Sequence, residues 1–157
     1  MSDDALHSPS LHFAGFARIA DKQGRIVAPV PNVFELRAQA AYEFAQGLGR
    51  PVRLVGCTIR QVGKTTSFAH LLYHHCRRFA GTRAVVIADT DMKSERLFRI
   101  VQRLCEHDRY PWGHGHKSTS TTIKWGNGSE LVKRTAEAPR QTRGDTLQAV
   151  QLSECAY

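Results

Sequence analysis

Apolar residues recur along this chain with two periods, one helical and one extended, separated by short polar runs. Phe34, Leu36, Ala40, Phe44 and Leu48 fall at helical spacing, and Gly47 and Gly49 end that helix. Val52, Leu54 and Val55 make a short β-like run that stops at Gly56 and Cys57, and Phe68, Leu71, Leu72, His75 and Phe79 return to the helical period. Residues 84–88, Ala-Val-Val-Ile-Ala, are continuously apolar, which predicts a strand buried on both faces. They lead into Asp91 as N-cap of a helix over 93–107, whose buried stripe is Leu97, Ile100, Val101 and Leu104. Residues 121–125 and 130–134 flank an Asn127-Gly128 turn and predict a hairpin. Loops are expected over 108–120 and 139–145, and a last strand over 146–152. Residues 1–31 read as an irregular lead-in with a possible hairpin between Ile19 and Val27, and 32–157 as the main domain. Strands alternating with helices predict an α/β fold with a mostly parallel sheet.

One junction carries chemistry. Arg60-Gln61-Val62-Gly63-Lys64-Thr65-Thr66 lies between the 52–55 run and the helix that follows. A strand, a tight loop with Gly-Lys-Thr and a helix is the phosphate-cradling P-loop arrangement. Loop amides and the helix N-terminus turn partial positive charge toward phosphate oxygens. Gly63 lets the backbone approach, Lys64 offers an ammonium to the β- and γ-oxygens, and Thr65 supplies a hydroxyl for Mg²⁺. The motif is incomplete: Thr58 stands where the full pattern has its first glycine.

An apolar strand ending in an acidic residue is the second motif a P-loop enzyme needs. Here the strand ends in Ser153-Glu154. Glu154 is placed to orient an attacking water, while Ser153 can meet Mg²⁺ only as a neutral hydroxyl or through a water.

Composition narrows the setting. A net charge of +8, mostly from arginine, suits a polyanionic partner, with a solvated basic face as the plain alternative. Arg96, Arg99 and Arg103 fall on one side of the 93–107 helix and tilt the choice toward DNA. No long apolar segment suggests a membrane span, and the acidic start Met1-Ser2-Asp3-Asp4 lacks the features of a signal peptide, so a cytoplasmic protein is expected. Cys57, Cys76, Cys105 and Cys155 are scattered singly, as reduced thiols. His70, His74 and His75 share a helix, but the face is needed for packing, and a metal site there is not expected.

The order Arg60-Gln61-x-Gly63-Lys64-Thr65-Thr66, the 84–88 strand, Trp125-Gly-Asn-Gly-Ser129, Arg143-Gly144 and Leu152-Ser153-Glu154-Cys155-Ala156-Tyr157 resembles the N-terminal ATPase domain of the large terminase subunit of tailed bacteriophages and prophages. The resemblance implies a P-loop NTPase of the additional-strand type, incomplete at its C-terminal end and without the nuclease domain. It implies ATP and Mg²⁺ as ligands. Arg60 and Lys64 would bind and sense the γ-phosphate, with Gln61, Val62, Gly63 and Thr66 lining the same loop. Thr65 would hold the metal, with Ser153 beside it, and Glu154 would be the catalytic carboxylate. Gln39 stands where the family recognises adenine, and Arg143 where related motors carry an arginine finger into the neighbouring subunit. The partners implied are double-stranded DNA, a homo-oligomeric ring, a portal and the small terminase subunit, all in the bacterial host cytoplasm. The family's additional strand lies between the P-loop strand and the acidic strand. It comes from sequence beyond Tyr157, so an incomplete sheet is expected. Another P-loop DNA translocase or helicase, or an inactive remnant that binds nucleotide or DNA, are the rival readings.

Overall fold

In the computed structural model, which describes residues 6–49, 52–56, 63–136 and 146–153, the chain is a mixed α/β structure. Helix α1 (Pro9–Gly15) leads to a small antiparallel pair, β1 (Ile19–Ala20) and β2 (Ile26–Val27), and then to α2 (Val33–Gly47). Helix α3 (Lys64–Arg78), β3 (Arg83–Ala88) and α4 (Asp91–His107) follow, then β4 (His116–Ser118), β5 (Thr122–Trp125), β6 (Glu130–Thr135) and β7 (Ala149–Ser153).

The main sheet has five strands in the order β4-β5-β6-β3-β7. Strand β3 pairs in parallel with β6 on one side and β7 on the other, whereas β4-β5 and β5-β6 are antiparallel. The expectation of a mostly parallel sheet is therefore corrected to a mixed one. The cause is local: Asn127-Gly128 closes a tight turn, with Gly128 at φ +83° and its amide bonded to the Trp125 carbonyl at 3.0 Å. A tight turn can only return the chain antiparallel. The loop expected over 108–120 also contains β4, which extends this meander.

Strand β3 is buried through Ala84, Val85, Val86 and Ala88, as its unbroken apolar run predicts. Helix α3 packs on β7 and β3, α4 on β3 and β6, and the two helices on each other. The core between them holds Phe13, Tyr73, Leu72, Leu97, Phe98, Val101, Leu104, Ile123, Trp125 and Leu131. Phe13 comes from α1, a helix too short for its apolar period to announce it, started by Ser8 with Pro9 behind it. The N-cap of α4 is Thr90 rather than Asp91, whose carboxyl instead sits in the first helical turn.

Residues 52–56 are not a strand, which corrects the expected strand ahead of Gly63. Val55 is 90% exposed. Among the described residues no strand lies beside this run, and β7 forms an edge of the sheet. A lone extended segment has no ladder to satisfy its backbone groups, so apolar composition by itself does not make it a strand.

Helix α2 is where period and burial part company. It forms as the spacing predicts, with an Asn32–Glu35 capping box. Yet Glu35, Gln39 and Tyr42 are its buried residues, while Leu36, Phe44 and Leu48 face outward at 48%, 71% and 55% exposure.

Candidate functional site: the start of helix α3

Gly63 is the N-cap of α3, with φ +76°, and the first helical bond runs from the Ser67 amide to the Gly63 carbonyl at 3.0 Å. The left-handed backbone suits glycine, and space demands it as well: a Cβ at this position would collide with the Glu35 carboxyl and come within 3.4 Å of the Asn32 side chain. Gly63 brings no side chain to cap the helix, and no acidic residue lies in the first turn. Lys64, Thr65 and Thr66 form that turn, all half-buried. The helix start thus has no cap of its own, and the Glu35 carboxyl of α2 lies against it, so an anion drawn by its amides and dipole must displace or share that place.

The wall of the site comes from α2. Glu35 accepts a bond from the Asn32 amide at 2.9 Å, and burial pushes its carboxyl up from the ordinary glutamate value, against that bond. Gln39 stands one turn further along the same face and is fully buried. Neither atom of its side-chain amide has a hydrogen-bond partner. A buried primary amide without partners costs on the order of 1–3 kcal/mol per unmet group, and Gln39 is the one side chain among the described residues with both its donor and its acceptor unmet. The Ser67 hydroxyl, buried on the first turn of α3, is likewise without a partner.

The remaining predicted residues divide. Lys64, Thr65 and Thr66 share the first turn of α3, and Gln39 lies on the α2 face that touches Gly63. Thr66 also lines a small cavity with Arg18, Ile100 and Arg103. Ser153 ends β7 opposite Ala88, at the C-terminal edge of the parallel strands. Arg60, Gln61, Val62, Arg143 and Glu154 lie outside the described residues. One carboxylate at the same edge was given no role in the sequence reading: Asp89, directly after Ala88. Its oxygen lies 2.7 Å from the Lys93 ammonium, and that bond, against some desolvation, holds its carboxyl below the usual aspartate range. An apolar strand run ending in an acidic residue was the available signal. Among the described residues, no group of three His, Cys, Asp or Glu side chains could hold a metal ion.

A second polar cluster was not foreseen. His12 of α1 lies 2.8 Å from His70 of α3 through Nδ1 and 3.0 Å from Asp108 through Nε2. Tyr73 and the Trp112 indole donate to the same Asp108 oxygen at 2.6 and 2.5 Å. Burial pushes against ionisation of Asp108, but the bonds from His12, Tyr73 and Trp112 hold its carboxyl below the ordinary value. The cluster joins α1, α3 and the end of α4 and is closed to solvent at His12 and His70. It fastens the far half of α3, leaving the N-terminal turn free of it. The thiol of Cys76 is pushed well up by burial and that of Cys105 up to about 12, so neither is a reactive nucleophile at neutral pH.

Arg96, Arg99 and Arg103 are all exposed on α4. Arg99 is held by Glu95 at 2.9 Å, while Glu95 also accepts from Lys133 at 2.7 Å. No helix among the described residues is long and apolar enough to cross a membrane. No protein-family model matches the chain, and no curated protein matches it.

Proposed function

We propose that this chain is the ATP-binding part of a viral DNA-packaging motor of the terminase type. One observation carries the reading: a helix start at Gly63-Lys64 without a side-chain cap of its own, set against an α2 face that buries an unpartnered Gln39 amide. A phosphate needs the first, and a base edge needs the second. Lys64 meets the β- and γ-phosphate oxygens, and the first-turn amides share their charge. The Gln39 amide offers a donor and an acceptor, the pair that an adenine edge complements.

Thr65 and Ser153 bring only neutral hydroxyls, so Mg²⁺ is expected to arrive on the nucleotide, held mainly by phosphates and water. When bound, the ion neutralises charge on the transferring phosphoryl group. In this reading Arg60 adds a second cation beside Lys64. Glu154 orients the attacking water, and Arg143 reaches a neighbouring subunit's nucleotide in a ring on double-stranded DNA. The exposed arginines of α4 are the described surface best suited to the DNA backbone.

Turnover tests the enzymatic part. With Mg²⁺ and ATP, Lys64→Ala is expected to lower hydrolysis by about tenfold or more, since it removes a cation from the phosphoryl oxygens. Equal rates for the two proteins would sink the enzymatic reading and leave at most nucleotide binding.

A further inference from the structure

The outward face of α2 carries an apolar ridge, with Arg37 as the charged residue beside it. Val33, Leu36, Phe44 and Leu48 are 65%, 48%, 71% and 55% exposed, with Ala40 exposed between them. Leu36, Ala40, Phe44 and Leu48 follow each other at four-residue intervals and so form a single ridge on the helix surface. The inward face, with Glu35, Gln39 and Tyr42, is already committed to the molecule's own packing. A continuous exposed apolar ridge of this kind marks a surface that another partner covers.

We propose that the occupant is a second copy of this chain, bound through the outward face of α2 by a two-fold axis passing between Ala40 and Phe44, with the two helices antiparallel. The residue pattern is self-complementary about that point. Ala40 falls opposite Phe44 of the second copy, Leu36 opposite its Leu48, and each pairing is repeated by the symmetry. The large ring thus meets the small methyl, as ridge-into-groove packing requires, with the helices crossing at about −50°. Charge agrees. A chain of net charge +8 resists self-association through most faces, and this ridge is uncharged. The flanking Arg37 falls opposite Gly47 of the second copy, at the C-terminal end of its α2. That end has no basic residue in its last turn, so the arriving guanidinium meets an uncompensated negative dipole.

Area sets the strength. Helix α2 has 15 residues. At 1.5 Å per residue that is roughly 22 Å of ridge, covering on the order of 500 Å² per copy and ~1,000 Å² per pair, near the lower edge of specific interfaces. The pair is therefore a weak, concentration-dependent dimer, with half-association on the order of 10–100 µM. It is independent of the nucleotide reading and concerns the opposite face of α2.

Sedimentation velocity of the full chain from ~5 to ~500 µM tests it, because that range brackets such a constant. The expected result is a monomer at the low end and a dimer at the high end. Phe44→Glu should remove the dimer at every concentration, with circular dichroism reporting the fold. Phe44→Ala leaves a gap opposite Ala40, and Ala40→Phe opposes ring to ring, so each should weaken association by about tenfold or more. The double variant Ala40→Phe with Phe44→Ala exchanges the partners and should restore it. A wild-type monomer throughout overturns the proposal and gives the face to another segment or partner. A dimer indifferent to Phe44→Glu overturns the location, and failure of the exchange variant overturns the antiparallel register.

Discussion

At the scale of single residues, His70 shows how burial sets chemistry. Burial first, then the neighbouring His12 and His74, holds its imidazole well below the ordinary 6.5. His70 is thus neutral when folded and takes up a proton on unfolding whenever the pH is below about 6.5. Its contribution to stability is complete above that pH and is lost as the pH falls toward its folded value. His75 is lowered in the same sense by burial and by Arg78 and adds to the same window. Asp108 acts lower, because its depressed carboxyl withdraws stability only below about 3.8. Urea denaturation between pH 7 and pH 5 should therefore show stability falling with pH, by up to ~1.4 kcal/mol per pH unit for each histidine. His70→Gln should flatten that slope by about one proton's worth. An unchanged slope would show that His70 is protonated in the folded chain.

At the scale of elements, the two ends of α3 differ. Its N-terminus has no side-chain cap, whereas its C-terminus is closed by the hairpin turn. The Asn127 side-chain amide donates to the carbonyls of Cys76 at 2.9 Å and Arg77 at 3.1 Å, and the Ser129 hydroxyl donates to the Phe79 carbonyl at 2.8 Å. Those carbonyls belong to the last turn, which has no partners within the helix. Asn127→Ala should cost about 1–2 kcal/mol in chemical denaturation, from the lost cap and the uncovered carbonyls. A change below about 0.3 kcal/mol would mean that water replaces the side chain without cost.

The same elements show what a single sequence can and cannot carry. Helices α3 and α4, strand β3 and the Asn127-Gly128 hairpin were all legible, because their signals are local: periodicity, caps and a turn dipeptide. The direction in which α2 faces was not. Period locates a stripe, but which side is buried depends on what packs there, and Glu35 and Gln39 occupy that side. Residues 52–56 failed as a strand for a related reason, since strands need partners that may come from anywhere in the chain. At the start of α3, Gly63 and Lys64 were singled out by their own motif and Gln39 by the family resemblance alone. The His12–His70–Asp108 cluster could not, because its members are far apart in sequence and meet only through the packing of α1.

At the scale of the whole molecule, excess positive charge is the property with a measurable consequence. Arg96, Arg99 and Arg103 present one exposed row, tempered at Arg99 by Glu95. If this row follows a DNA backbone, duplex binding must weaken with salt. Each phosphate contact contributes about 0.9 to the slope of log affinity against log salt concentration. Replacing Arg96 and Arg103 by glutamine should lower that slope by about 2 and weaken binding alike for unrelated sequences. A slope unchanged in the double variant would place the DNA contact elsewhere.

The central claim is that the start of α3 is a nucleotide-phosphate site read together with Gln39, and direct binding tests it. Isothermal titration of ATP and GTP into the wild-type chain, Lys64→Ala and Gln39→Ala separates the two halves of the claim. The account predicts that wild type prefers ATP and that Lys64→Ala weakens both nucleotides by about tenfold or more. It also predicts that Gln39→Ala loses mainly the preference for ATP over GTP. Equal affinities for wild type and Lys64→Ala, or no binding by the folded wild-type chain, would contradict it.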